Sequence, residues 1–188
     1  FAGAFTAQKL EKKVKDVEVT VVDRREGLLA KYATLRAVVY GDAFSHRVMI
    51  PENKMLKRGK VIQANVTNVE PGKVSLDDGT QLEYDFLVCA TGSHNKLVEP
   101  PSSVTSKKET MAFFEDFSTK IKEAKKILIV GGGPSAVELV GEIADRYGTS
   151  KDITIATAAK GLVDNATPTP PKKFYDRVHK LVKDAGVK

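Results

Sequence analysis

One cysteine in 188 residues excludes several chemistries at once. Cys89 has no partner in its own chain for a disulfide, and neither a redox Cys-x-x-Cys pair nor a multi-cysteine zinc site can be built from it. It sits in the apolar run FLVCATGS with no charged neighbour in sequence to lower its pKa, so it is expected to be a small core residue and not a nucleophile. Histidine is nearly as scarce. His46, His94 and His179 show no metal-ligand spacing, and no metal site is expected. No apolar run approaches the roughly 18 residues of a membrane span. No basic stretch, apolar segment and cleavage site opens the chain, so a soluble, intracellular piece is expected. On the same ground the Asn-x-Thr patterns at Asn65 and Asn165 read as chance.

What is abundant is positive charge. A formal net charge of +6 suits an anionic partner such as a nucleotide, nucleic acid or acidic lipid head group, and by itself selects none of them.

The chain opens on Phe1, and FAGAF runs straight into a helical pattern with no strand before it. Ala7, Leu10 and Val14 fall on one stripe, predicting an amphipathic helix over residues 4–15 that Gly3 opens. VEVTVV, residues 17–22, is a β-branched run of the parallel-sheet kind and ends on Asp23. The same grammar returns complete further on. KILIV at 126–130 predicts a buried strand, GGGPSA at 131–136 a glycine loop, AVELVGEIADRY a helix and DITIAT a second strand. Gly131-x-Gly133-x-x-Ala136 therefore lies between a strand and a helix, the context in which this motif is specific. The first glycine permits a tight turn, the second lets backbone approach a pyrophosphate, and the small third residue lets helix and strand pack closely. The helix start then adds unpaired N–H groups and a positive dipole end. With this copy as template, Phe1-Ala2-Gly3 reads as the last three residues of another such loop, its strand and first two glycines expected upstream. Spacing agrees: 20 residues separate Gly3 from Asp23, and 21 separate Ala136 from Thr157.

Between the copies, residues 48–82 hold short alternating stretches broken by Pro-Gly and Asp-Asp-Gly, which predicts a small β-meander. FLVCATGS at 86–93 reads as an apolar strand ending in small residues that admit a ligand to the backbone. Pro100 and Pro101 mark a boundary, and a helix bearing Phe114, Phe117 and Ile121 on one face leads to the second glycine loop. The stretch ATPTPPKK, 166–173, reads as a loop or tether. The fold expected is α/β: two Rossmann-like dinucleotide-binding domains in series, the first with an inserted β-meander, both incomplete. Their extents are 1–99 and 100–188.

The segments VVDRREGLLAKYATLRAVV, DFLVCATGS and ILIVGGGPSAVELVGEIA resemble the two-dinucleotide-binding, glutathione-reductase-like flavoproteins. They most resemble the apoptosis-inducing-factor-like branch that includes the ferroptosis suppressor flavoprotein. The resemblance covers nearly all of the chain and implies FAD, NADPH or NADH, and electron transfer to a quinone. It implies residues 1–99 as the FAD-binding domain and 100–188 as the N-terminal part of the NAD(P)-binding domain. Residue by residue, it implies Gly3 under the FAD pyrophosphate, Asp23 on the ribose, Arg36 near the flavin diphosphate, Val66 at the adenine, and Thr91 and Gly92 along the cofactor. For the nicotinamide dinucleotide it implies Gly131, Gly133, Pro134 and Ala136 around the diphosphate and Glu138 directed toward nicotinamide and flavin. One departure matters. Where NAD-binding units tend to carry an acid on the ribose 2′-OH, this chain has Thr157, and Lys160 follows, so NADPH is expected to be accepted at least as readily as NADH.

The protein's task in such chemistry is to hold two cofactors together and exclude water, so no catalytic side chain is named. Other acceptors of the same architecture stay open, namely monodehydroascorbate, ferredoxin or rubredoxin. A nucleic-acid-binding module ranks well below, since no recognition helix or aromatic-rich basic strand accompanies the charge. Membrane-surface association through segments outside this chain is a further implication. The expected address is the cytosol, the cytosolic face of a membrane, or the mitochondrion.

Overall fold

The computed structural model describes residues 1–52, 55–164 and 167–188. They form two compact units, Phe1–Lys31 with His46–Ala112, and Tyr32–Ser45 with Phe113–Lys188. The second Asn-x-Thr pattern, at Asn165, and the start of the 166–173 stretch lie outside the described residues. Among the described residues, no helix is long and apolar enough to cross a membrane.

The first unit opens with α1 (Ala2–Lys13), so Gly3 lies inside the first turn and Phe1 is the N-cap. Ala7 is buried, while Leu10 and Val14 stay more than one-third exposed. The helix end is tied by a reciprocal clamp. The Arg58 guanidinium donates to the carbonyls of Lys15 at 2.7 Å and Val14 at 3.1 Å, and also to that of Glu11. In return the Glu11 carboxylate accepts backbone N–H from Lys57 at 2.8 Å and Gly59 at 2.7 Å, and from Arg58. Those backbone donors hold the Glu11 carboxyl below the usual carboxylate range.

Strand β1 (Thr20–Asp23) is shorter than the apolar run suggested, and β2 (Gly27–Leu29) follows it. Beyond them come β3 (Met49–Pro51) and β4 (Lys60–Gln63). The meander proper is β5 (Val66–Glu70), β6 (Lys73–Leu76) and β7 (Gln81–Glu83). It is therefore smaller than the 48–82 expected: β3 pairs antiparallel with β2, and β4 pairs parallel with β1, Thr20 opposite Lys60 and Asp23 opposite Gln63. KVIQANVTNVEP breaks at Asn65, whose N–H and side-chain amide bind the Asp77 carboxylate at 3.0 and 2.7 Å. That clamp separates β4 from β5. Val74 and Leu76 supply the meander's buried side, while all of β5 is exposed.

Residues 86–93 form no strand, and this corrects the expectation. Phe86 is 93% exposed, Leu87, Val88 and Cys89 are exposed with it, and no strand of the described residues pairs there. An apolar run becomes a strand only where a neighbour satisfies its backbone groups, and none does here. Cys89 is thus a surface thiol, not a core residue.

In the second unit, α2 (Thr34–Tyr40) and the single turn α3 (Asp42–Ser45) pack with later elements. Helix α4 (Lys107–Glu123) starts on Ser106, whose hydroxyl accepts the Glu109 N–H as an N-cap and donates to the Glu109 carboxylate. The change from one unit to the other falls within it, after Ala112. Its expected apolar face is real: Phe114 and Ile121 are buried. Then β8 (Lys126–Val130), α5 (Pro134–Tyr147), β9 (Asp152–Ala156) and α6 (Lys172–Asp184) follow. β8 and β9 run parallel, Lys126 opposite Asp152 through Val130 opposite Ala156. A helix joining two parallel strands is the unit the sequence pattern called for. α5 buries Val140 and Ile143 and stops at Gly148, at φ +56°. α6 closes over Leu162 and Val163 through Val182 and Val178.

Candidate functional site

The glycine loop of the second unit is set by backbone chemistry. Gly131 ends β8 at φ +115°, a conformation L side chains rarely adopt, and its N–H donates to the Ala156 carbonyl at 2.7 Å. Gly133 is the extended N-cap of α5, and Pro134 occupies the first helical turn, where a missing N–H costs nothing. A Cβ placed on Gly131 or Gly133 would meet no atom within 4 Å, so both glycines face open space at the helix start. That is the space a phosphate needs beside unpaired N–H groups. The residues fit a dinucleotide diphosphate.

Gly132 was not singled out from the sequence, yet it is the tightest of the three. A Cβ there would lie 2.7 Å from the Thr157 hydroxyl oxygen and 2.8 Å from its Cβ. The run of three glycines was the available signal. Thr157 thus rests on the loop at the end of β9, its Oγ1 accepting the Ala159 N–H at 3.2 Å. The Gly132 carbonyl accepts the Val163 N–H at 2.6 Å, and Val163 is buried at φ +59°. A β-branched residue held there is strained. It straps the segment after Thr157 onto the glycine loop. Pro134, Glu138, Thr157 and Lys160 are exposed and Ala136 is half-buried, its N–H on the Gly133 carbonyl at 3.1 Å.

The candidate residues of the first unit gather at the start of α1 and the end of β1. A Cβ on Gly3 would come within 3.1 Å of the Ala90 side chain, the close approach that a small third residue permits. Ala90 was covered only by the general smallness of residues 90–92. Thr91 and Gly92 are exposed, Gly92 at φ +73° with open space where a Cβ would sit. Asp23 accepts the Arg25 N–H on Oδ1 at 2.8 Å. Beside it, Nε of Arg24 and Nε and Nη2 of Arg25 are buried with no acceptor. Burial and then Arg24 pull the Arg25 guanidinium below its ordinary value, with Asp23 and Glu99 partly offsetting them. Unsatisfied buried donors next to an acid that accepts hydroxyls fit an anionic, hydroxyl-bearing nucleotide. Two arginines directly after a strand-end acid were the sequence signal. Glu52 is buried in the same unit, its carboxyl raised by burial and then by Asp23. Val66 is 45% exposed on β5.

Arg36 is not gathered with these residues by packing: it belongs to the second unit, on α2. Its Nε donates to both oxygens of the Glu142 carboxylate on α5, at 3.0 and 2.9 Å. His94 Nε2 lies 3.0 Å from the Pro100 carbonyl, His46 Nε2 3.3 Å from Nε of Arg47, and His179 beside Gly161. Among the described residues, no cluster of His, Cys, Asp and Glu is placed to bind a metal.

Comparison with known proteins bears on this geometry. The family model described as pyridine nucleotide-disulphide oxidoreductase matches residues 1–188. Apoptosis-inducing factor homolog B of Dictyostelium discoideum is 37% identical over 100% of this chain and 48% of its own length. Ferroptosis suppressor protein 1 of Xenopus tropicalis is 28% identical over 87% of this chain and 43% of its own. Among solved structures, a ferredoxin reductase from Rhodopseudomonas palustris superposes with a TM-score of 0.73 at 15% identity, covering 99% of this chain and 47% of that one. The chain spans about half the length of the curated relatives it matches. With the family model matched from end to end, the chain belongs to the pyridine nucleotide-disulphide oxidoreductases, and within them it is similar to apoptosis-inducing factor homologues and ferroptosis suppressor proteins.

Proposed function

We propose that the protein is an NAD(P)H:quinone oxidoreductase, with residues 1–99 in its FAD-binding domain and 100–188 opening its NAD(P)-binding domain. The observation that carries the redox reading is the open glycine loop between β8 and α5, with Gly131 at φ +115° and no atom within 4 Å of a Cβ at Gly131 or Gly133. The quinone is supported by likeness to the ferroptosis suppressor proteins.

The cofactors, when bound, supply the redox chemistry, hydride from nicotinamide to flavin and electrons from flavin to quinone. The chain's own residues bind and orient. Gly131, Gly133 and Ala136 leave room for the nicotinamide dinucleotide's diphosphate at the α5 N-terminus, and Pro134 pre-sets the first turn. Glu138, exposed on the first turns of α5, would be the carboxylate directed toward the nicotinamide. Thr157 takes the place of the acid that would repel a 2′-phosphate, and Lys160 adds attraction, so NADPH serves at least as well as NADH. For FAD, Gly3 would admit the pyrophosphate and Asp23 would accept ribose hydroxyls, and the family resemblance assigns Arg36 to the diphosphate. Val66 would contact the adenine, and Thr91 and Gly92 would line the cofactor.

The test is anaerobic NADPH oxidation by the purified full-length protein with a short-chain quinone, monodehydroascorbate, ferredoxin and rubredoxin in parallel. Quinone should support the fastest turnover. Preference for any other acceptor overturns the quinone assignment and leaves the family intact.

A further inference from the structure

Val163 is held at φ +59°, where a β-branched residue is a steric outlier. Two contacts keep it there. Its side chain is buried with Leu162 and Val182 in a cluster that also takes in Val137 of α5 and Val178 of α6. Its N–H donates to the Gly132 carbonyl at 2.6 Å. A backbone conformation of this kind persists only where its surroundings over-determine it, and such places cluster at ligand clamps.

The hydrogen bond orients the Gly132–Gly133 peptide. That peptide is trans, so its C=O and N–H point in opposite directions within one plane. With the carbonyl pinned to Val163, the Gly133 N–H is turned away from the strap. It has no acceptor among the described residues, and a Cβ on Gly133 would meet no atom within 4 Å. Pro134 brings no N–H, so Gly133 supplies the last backbone donor before the helix. The loop is closed at Gly132 instead, where a Cβ would lie 2.7 Å from Oγ1 of Thr157. An unpaired N–H whose direction is fixed in advance meets an oxyanion at little ordering cost.

We propose that Val163 is a positioning residue, its N–H pinning the Gly132 carbonyl so that the Gly133 N–H is presented to the diphosphate of the nicotinamide dinucleotide. This rests on the reading of the glycine loop between β8 and α5 as that ligand's diphosphate site.

The experiment titrates oxidised full-length holoprotein with NADP⁺ and with NAD⁺ by calorimetry, and records melting alongside. Three chains are compared with the parent: one with Val163 replaced by its α-hydroxy acid, so that an ester oxygen stands where the N–H was, Val163→Gly, and Gly131→Val. The ester should weaken both dinucleotides about tenfold, the scale of one hydrogen bond to a charged group. The factor should be the same for both, because the diphosphate is common to them. Val163→Gly keeps the donor and adopts φ +59° without strain, so it should lose less affinity than the ester. It gives up the buried side chain and should melt lower than the ester. Affinity then follows the N–H and stability follows the side chain, a pattern that a merely structural strap would not give. Parental affinity in the ester would overturn the proposal. So would a loss in Val163→Gly as large as the ester's, or a changed NADP⁺-to-NAD⁺ ratio in the ester, which would put the effect at the ribose end beside Thr157. If Gly131→Val leaves the binding of both dinucleotides unchanged, the reading of the loop has failed, and the proposal with it.

Discussion

The ends of β1 and β9 make the same turn with different charge. Asp23 accepts the N–H of Arg25 on its carboxylate at 2.8 Å, and Thr157 accepts the N–H of Ala159 on its hydroxyl at 3.2 Å. Each side chain bonds the backbone two residues on, a local motif that Asp and Thr share. The backbone does not distinguish the two sites, and the side chain does. Around Asp23 lie buried arginine donors, while around Thr157 lie a bare glycine loop and the exposed Lys160. The first strand end carries a carboxylate acceptor, the second a neutral hydroxyl.

The strongest way to break the comparison is to disable the glycine loop of the second unit and leave the first unit unchanged. Gly131→Val demands a β-branched residue at φ +115° and fills the open space at the α5 start. Calorimetry on the full-length protein should show NADPH binding lost and FAD binding retained. Next, Asp23→Asn trades a carboxylate for one neutral acceptor and should weaken FAD about tenfold, with nicotinamide choice unchanged. Thr157→Glu should convert the second site toward the first, moving the NADH-to-NADPH ratio of kcat/KM roughly tenfold toward NADH. An unchanged ratio would remove the argument from Thr157.

The smallest effect concerns stability and belongs to the first unit. Glu11's folded pKa is lowered by backbone donors, so its contribution is full above its unfolded pKa and fades as pH falls through the lowered folded one. The acid-induced loss of melting temperature should therefore be shallower in Glu11→Gln than in the parent. Parallel melting curves below the ordinary carboxylate range would contradict the clamp.

What was legible in the sequence was local. The β8–loop–α5–β9 unit is written in a β-branched run, glycines at fixed offsets and a 3.6-residue stripe, and each of these acts within a few residues. Pairing was harder to read. KVIQ looked like one strand of a meander, but its ladder is to β1, some 40 positions away. FLVCATGS has the composition of a buried strand and none of the partners, so Cys89 reached the surface instead of the core. Contacts between distant segments left no trace at all: Arg36 and Glu142 are 106 residues apart, and either alone reads as a surface charge. Gly132 was visible only as the middle of three glycines. Its need to be glycine comes from Thr157, which the fold brings against it.

The most direct test of the account is the visible spectrum of purified full-length protein, recorded before and after NADH or NADPH is added without oxygen. Flavin bands that bleach on addition of nicotinamide, with NADPH at least as effective as NADH, are the predicted result. A colourless protein that cannot be reconstituted with FAD would contradict it.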